Sequence, residues 1–182
     1  MWIYIIIAII ALIVMYVIAL YNSLIKLNNN VKEAFSTMDV YLKKRWDLIP
    51  NLVETVKGYM QHEKGTLTEV IKLRNIAYNH MSNEEKIKAN EHLSNNLNKI
   101  IALAEAYPDL KANENFKDLS SQLSRVEDDI ANSRKYYNCI IRQYNNKVET
   151  FPNNIFAGLL GYKSKTMFEA NVNERENVKI KF

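Results

Sequence analysis

The sequence is poor in the residues that make turns, cross-links and phosphate loops. Of its 182 residues, four are glycine, three are proline and one is cysteine. Four scattered glycines (Gly58, Gly65, Gly158 and Gly161) cannot build a glycine-rich phosphate loop. So few turn formers also argue against a β-rich fold. The single thiol, Cys139, excludes an internal disulfide framework. Its helical, aromatic neighbourhood (Tyr136, Tyr137) places it in the expected core, not as a nucleophile. A large excess of one charge is missing too: 24 basic against 20 acidic side chains leave a net +4. That excess is spread along the chain, whereas nucleic-acid binders gather it into a stripe, so no nucleic-acid partner is expected.

Metal and catalytic motifs are equally scarce. His62-Glu63 opens like a zinc-protease helix, but the position that needs the second histidine is Thr66. His80 and His92 stand alone near helix ends and read as surface residues. Asp128 and Asp129 are adjacent on a helix, point in different directions and read as a solvated face. No catalytic residue, metal ligand or cofactor site emerges, and the expectation is a protein that is not an enzyme.

Charge is wholly absent from Trp2 to Tyr21. Twelve of these twenty residues are Ile, Leu or Val, and a helix of this length spans about 30 Å, the hydrocarbon thickness of a bilayer. The aliphatic residues contribute roughly −4 to −7 kcal/mol to insertion. Trp2 and Tyr4 at one end and Tyr16 and Tyr21 at the other read as an interfacial belt. The chain begins Met-Trp-Ile-Tyr with no basic residue, and Ile18-Ala19-Leu20-Tyr21 is a poor cleavage site, so a signal anchor is expected over a cleaved leader. Lys26 and Lys32 flank the C-terminal side, which by the positive-inside rule puts the N-terminus outside and the remainder in the cytoplasm.

Beyond the anchor the pattern is helical throughout. Leu24, Leu27, Val31, Ala34, Met38 and Leu42 step by three or four, so the span is expected to run on into a first long helix. Pro50 should kink or restart that helix, and Val53, Val56 and Met60 resume the stripe. A second helix is expected from about Thr66 to His80, with Leu67, Ile71 and Tyr78 on one face. Ser82-Asn83-Glu84-Glu85 is a capping box opening a third helix that carries Leu93, Leu97, Ile100 and Ala104 and ends near Tyr107-Pro108. Phe116, Leu123, Ile130, Tyr137, Tyr144 and Phe151 recur every seven residues, with Leu119, Val126 and Ile140 between them, along a fourth helix. The fold class is therefore all-α: a transmembrane helix (residues 1–21), an antiparallel four-helix bundle with long first and last helices (22–151) and a tail (152–182) whose Val178–Phe182 alternation hints at a short strand.

Some polar residues fall where apolar ones belong. At 100° per residue, Glu127, Arg134, Asn138 and Asn145 form a narrow strip beside the apolar seam of the fourth helix. Arg74 lies inside the stripe of the second helix and Arg45 borders that of the first. Buried charges require partners, so these six residues are expected to pair and fix helix register, with Glu127 bonded to Arg45 or Arg74. The competing reading is a pocket in which the arginines hold an anionic small molecule.

Several stretches resemble the LemA family: Tyr21-Asn22-Ser23-Leu24, Leu42-Lys43-Lys44-Arg45-Trp46-Asp47-Leu48-Ile49-Pro50-Asn51-Leu52-Val53, Ala106-Tyr107-Pro108-Asp109-Leu110-Lys111-Ala112-Asn113, Glu127 through Arg134, Tyr137-Asn138, Tyr144-Asn145 and Phe151-Pro152. The resemblance implies a bacterial single-pass membrane protein with a short external N-terminus, a cytoplasmic helical domain and no defined catalytic activity. Three functions compete. The first is a scaffold or adaptor, held in the bilayer through residues 2–21, that contacts a membrane or cytoplasmic protein. The second is a self-associating structural or membrane-remodelling protein using the long heptad seam as an intermolecular coiled coil. The third is an enzyme or binding module built on the Arg/Glu/Asn cluster. For the anchor, the full chain should sediment with membranes on ultracentrifugation after lysis and leave them only with detergent. Recovery in the detergent-free supernatant would remove it.

Overall fold

The computed structural model describes residues 1–59, 65, 68, 70–72 and 78–168. These residues are all-α, with no strand among them: α1 (Trp2–Lys57), a 3-10 turn (Tyr78–His80), α2 (Asn83–Ala104), α3 (Pro108–Ala112), α4 (Glu114–Glu149) and α5 (Asn153–Leu159). The chain divides into two compact units, Met1–Ser36 with the described part of Ser133–Phe182, and Thr37–Asn132.

α1 is continuous from the apolar stretch into the core. Only 6% of its most apolar 18-residue window is buried, and it is long and apolar enough to cross a membrane, consistent with membrane anchoring. From Leu20 onward the helical stripe turns inward, with Leu24, Ala34 and Met38 fully buried. Pro50 lies inside the helix and does not restart it. It offers no N–H to the Trp46 carbonyl, but Ile49, Leu52, Val53 and Val56 around it are buried and hold the turn in place.

The first unit is closed by Leu20, Leu24, Val31 and Ala34 of α1, Ile140, Ile141, Tyr144 and Val148 of α4, and Ala157 of α5. The second carries a buried row on each long element, among them Leu42 and Leu52, Leu93 and Ile100, and Phe116, Leu123 and Ile130. Apolar faces at helical spacing thus account for both cores.

Local chemistry sets the helix ends. Ser82 is extended (φ −63°, ψ 163°) and caps α2: its Oγ accepts from the Glu85 N–H at 3.3 Å, and its own N–H donates to Glu85 Oε2 at 2.7 Å. Pro108 sits in the first turn of α3, where its missing N–H costs nothing. Asn113 then caps α4, its Oδ1 accepting from the Phe116 N–H at 3.1 Å. α5 ends in a Schellman turn: Tyr162 N–H reaches the Ala157 carbonyl at 2.9 Å and Gly161 N–H the Gly158 carbonyl at 3.1 Å. Gly161 holds the left-handed φ of +79° that this turn requires.

Four expectations are corrected or moved. Cys139 is exposed, because it lies across the helix wheel from the Ile140–Ile141–Tyr144 face. Phe151 is 75% exposed, since α4 stops at Glu149 and no helical turn carries the heptad to it. Ile71 is exposed while its neighbour Val70 is buried, although Tyr78 is buried as expected. The supposed tail contains α5. Leu67, Arg74, most of the expected second helix and the Val178–Phe182 strand lie outside the described residues.

Ser82→Ala should destabilise the protein by about 1 kcal/mol, read from denaturant melts. The two Ser82 contacts, backbone first, hold the Glu85 carboxyl below its usual range. A depressed carboxylate stabilises the fold above its unfolded-state pKa and loses that contribution as pH falls through the folded value. Glu85→Gln should therefore flatten the acid limb of stability against pH relative to wild type.

Candidate functional site

Two polar clusters occupy the positions where the sequence sets charge and amide groups against the apolar seam. One lies in each unit.

In the unit Thr37–Asn132 the centre is Arg45 on α1, whose side chain has no solvent exposure. Its Nη1 donates to Glu127 Oε2 on α4 and to Ser94 Oγ on α2 at 2.5 Å. Nη2 donates to the Asn90 carbonyl at 2.7 Å and to Asn90 Oδ1 at 2.9 Å. The Glu127 side chain is half exposed, so the pair has one dry partner and one wet one. Ser94 Oγ also lies 3.3 Å from Glu127 Oε1, and Asn90 Nδ2 donates to the Lys86 carbonyl at 2.9 Å. One turn back on α2, Lys86 pairs with Asp39 at 2.8 Å, and the Tyr78 hydroxyl donates to Asp39 at 2.7 Å. Lys86 Nζ sits 4.9 Å from the Tyr78 ring centroid, and that ring packs on Trp46. Burial, then the hydrogen bond to Asp39, push the Tyr78 phenol far above its ordinary pKa, so it stays a donor at every physiological pH.

Chemically this is a closed arrangement. The two guanidinium ends are satisfied by groups of the chain itself, and the Glu127 carboxylate stands where an anionic ligand would bind. Asp39, Lys86, Asn90 and Ser94 escaped the sequence reading, which placed Tyr78 only on the apolar face of the expected second helix. Asn90 and Ser94 had a readable signal, since they fall four apart within the Leu93–Leu97 stripe of α2. Arg74 lies outside the described residues.

In the other unit, Asn138 and Asn145 of α4 hold the backbone of the segment that follows α5. Asn138 Nδ2 donates to the Phe168 carbonyl and Asn138 Oδ1 accepts from the Phe168 N–H, both at 2.8 Å. Asn145 makes the same two bonds to Lys165, again at 2.8 Å. Each side-chain amide thus completes a two-bond ring with one residue's N–H and C=O, as a strand neighbour would. The spacing matches: seven residues of helix rise about 10.5 Å, and three residues of extended chain cover about 10 Å. Aromatic and cationic contacts flank the clamp. Phe168 meets Tyr137 edge-on at 5.2 Å, with the Arg134 guanidinium 5.8 Å from its centroid, and Lys165 lies 5.3 Å from the Tyr144 ring. Burial raises the Tyr137 and Tyr144 phenols. Arg134, Asn138 and Asn145 therefore serve this second cluster. Among the described residues no three His, Cys, Asp or Glu side chains gather as metal ligands.

Glu127→Ala should cost about 2–4 kcal/mol in denaturant melts, below the full range for a buried pair because solvent reaches the carboxylate. Glu127→Arg should unfold the domain. The double variant Arg45→Met/Glu127→Met should recover most of the loss, since an apolar pair leaves no charge unpaired. A Glu127→Arg chain with wild-type melting would break this account.

Known proteins match this chain over much of its length. The LemA family model matches residues 34–182. Protein LemA of Metamycoplasma hominis is 29% identical over 161 residues, which cover 86% of this chain and 72% of that protein. The magnetosome proteins MamQ 2 and MamQ 1 of Paramagnetospirillum magneticum are each 31% identical over 75 residues, 41% of this chain but 28% of either relative. With the family match running through both polar clusters and from the buried part of α1 to the last residue, the chain belongs to the LemA family.

Proposed function

We propose that this protein is a membrane-tethered scaffold that captures extended peptide segments with the Asn138/Asn145 clamp, and that it is not an enzyme. The observation that carries the reading is the pair of amide rings closed on Lys165 and Phe168. Such rings read a backbone and not side chains, so they accept any extended segment that fits the spacing. The chain's own residues 165–168 are the resident occupant, and a partner's segment replaces them. α1 supplies the tether through residues 2–21, and Lys26 and Lys32 favour the cytoplasm for the helical body, with the N-terminus outside. That body is a four-helix bundle with long first and last helices.

The arginine cluster favours the same reading, because its anion is built in as Glu127. Self-association through the α4 seam is less favoured. Ile140 and Tyr144, which such a coiled coil would need, are packed inside the chain.

The test uses a labelled peptide with the sequence of residues 162–170 and the chain truncated after Gly161. The peptide should bind the truncated chain and not the full chain, whose clamp is filled. Asn138→Ala/Asn145→Ala should weaken binding at least tenfold, since four hydrogen bonds contribute about 0.5–1.5 kcal/mol each. A peptide shuffled everywhere but at Phe168 should bind within about tenfold of the parent, as backbone recognition requires. Equal binding with and without the asparagines would end the proposal.

A further inference from the structure

The apolar surface of α5 has no task in the clamp. α5 follows Pro152 and presents two faces. One packs on the end of the apolar stretch of α1: Phe156 meets Tyr16 edge-on at 6.0 Å, the Tyr16 hydroxyl donates to Asn153 Oδ1, and Ala157 is buried in the cluster that contains Leu20. The opposite face is open. Leu159 is 81% exposed and Ile155 52%, with Phe151 and Leu160 beside them.

We infer that α5 is a second membrane element, a short helix lying in the lipid interface with Phe151, Ile155, Leu159 and Leu160 turned toward the acyl chains. This rests on the reading that α1 spans the bilayer. Depth is the argument. The uncharged stretch of α1 ends at Tyr21, and Tyr16 lies five residues inside it, about 7.5 Å deeper along the axis. A helix docked on Tyr16 and Leu20 occupies the level at which interfacial helices bury their apolar face, about 5–10 Å below the headgroup boundary. At that level the neighbours are lipid, and an apolar outer face is the one that matches them.

Charge follows the same axis. Lys26 lies five residues beyond Tyr21, and Lys163 follows the Schellman turn that ends α5; both are exposed. They stand where anionic headgroups would meet them. A second copy is the poorer occupant. Four side chains offer on the order of a few hundred Å², whereas a stable pair needs about 800 Å² from each partner.

The experiment uses the full chain with Cys139→Ser and one new cysteine at a time: Ile155→Cys, Leu159→Cys, Ile9→Cys as the span control and Lys88→Cys as the water control. Each thiol carries an environment-sensitive fluorophore. The chains are reconstituted in vesicles of about three parts phosphatidylcholine to one part phosphatidylglycerol, with nitroxide lipids that quench either shallow or deep. Labels at 155 and 159 should emit to the blue and lose about half their emission to the shallow quencher, less to the deep one. The label at 9 should report the deep quencher and that at 88 neither. If 9 is quenched while 155 and 159 behave like 88, α5 lies outside the lipid although α1 crosses it, and the inference falls alone. Blue emission at 155 and 159 without quenching would mean that protein covers the face, which also overturns it. An unquenched label at 9 would take away the span itself, and the inference with it.

Discussion

An α-helix closes its own backbone hydrogen bonds, and this lets α1 change surroundings without changing secondary structure. Up to Tyr16 its aliphatic side chains are exposed, and from Leu20 the same helix supplies buried rows to both units. A strand or a loop could not make that passage, because its N–H and C=O groups would have to find new partners at the boundary. The remainder of the molecule follows. α4 and α5 cover the first buried part of α1, and α2 covers the second where Arg45 makes it polar.

Arg45 shows how an all-helical core tolerates a charge. Burying a guanidinium is costly unless its fork is filled. The sequence meets that cost with Glu127, Asn90 and Ser94 from two other helices. One dry end and one half-wet carboxylate make this a register device: sliding α1 by a turn would strand the cation among leucines. The Asn138/Asn145 pair solves a different problem with neutral groups. There the partner is peptide backbone, and the amide side chain is its chemical equal.

These two solutions were not equally legible. Glu127 and Arg45 stand out on a helical wheel because a charge beside a leucine stripe demands an opposite charge, and few are available at the right height. Asn138 and Asn145 stand out the same way, yet their partner is backbone, which leaves no trace in residue identity. The Ser82 cap and the α4 seam up to Tyr144 are local patterns and could be read directly. α5 was missed since seven residues are too few for periodicity to separate a helix from a tail. Cys139 was misplaced because Tyr136, three residues back on the same face, is itself exposed, while Tyr137 lies on another face of the helix.

A clamp that grips the peptide unit leaves most side chains of its occupant unread. Of the segment 163–168, only Lys165 over Tyr144 and Phe168 between Tyr137 and Arg134 meet aromatic or cationic neighbours. The clamp thus places its demands on the two asparagines and on these two anchoring residues, and none of this kind on Ser164, Thr166 and Met167. Over evolutionary time such a latch would change its lettering and keep its hold.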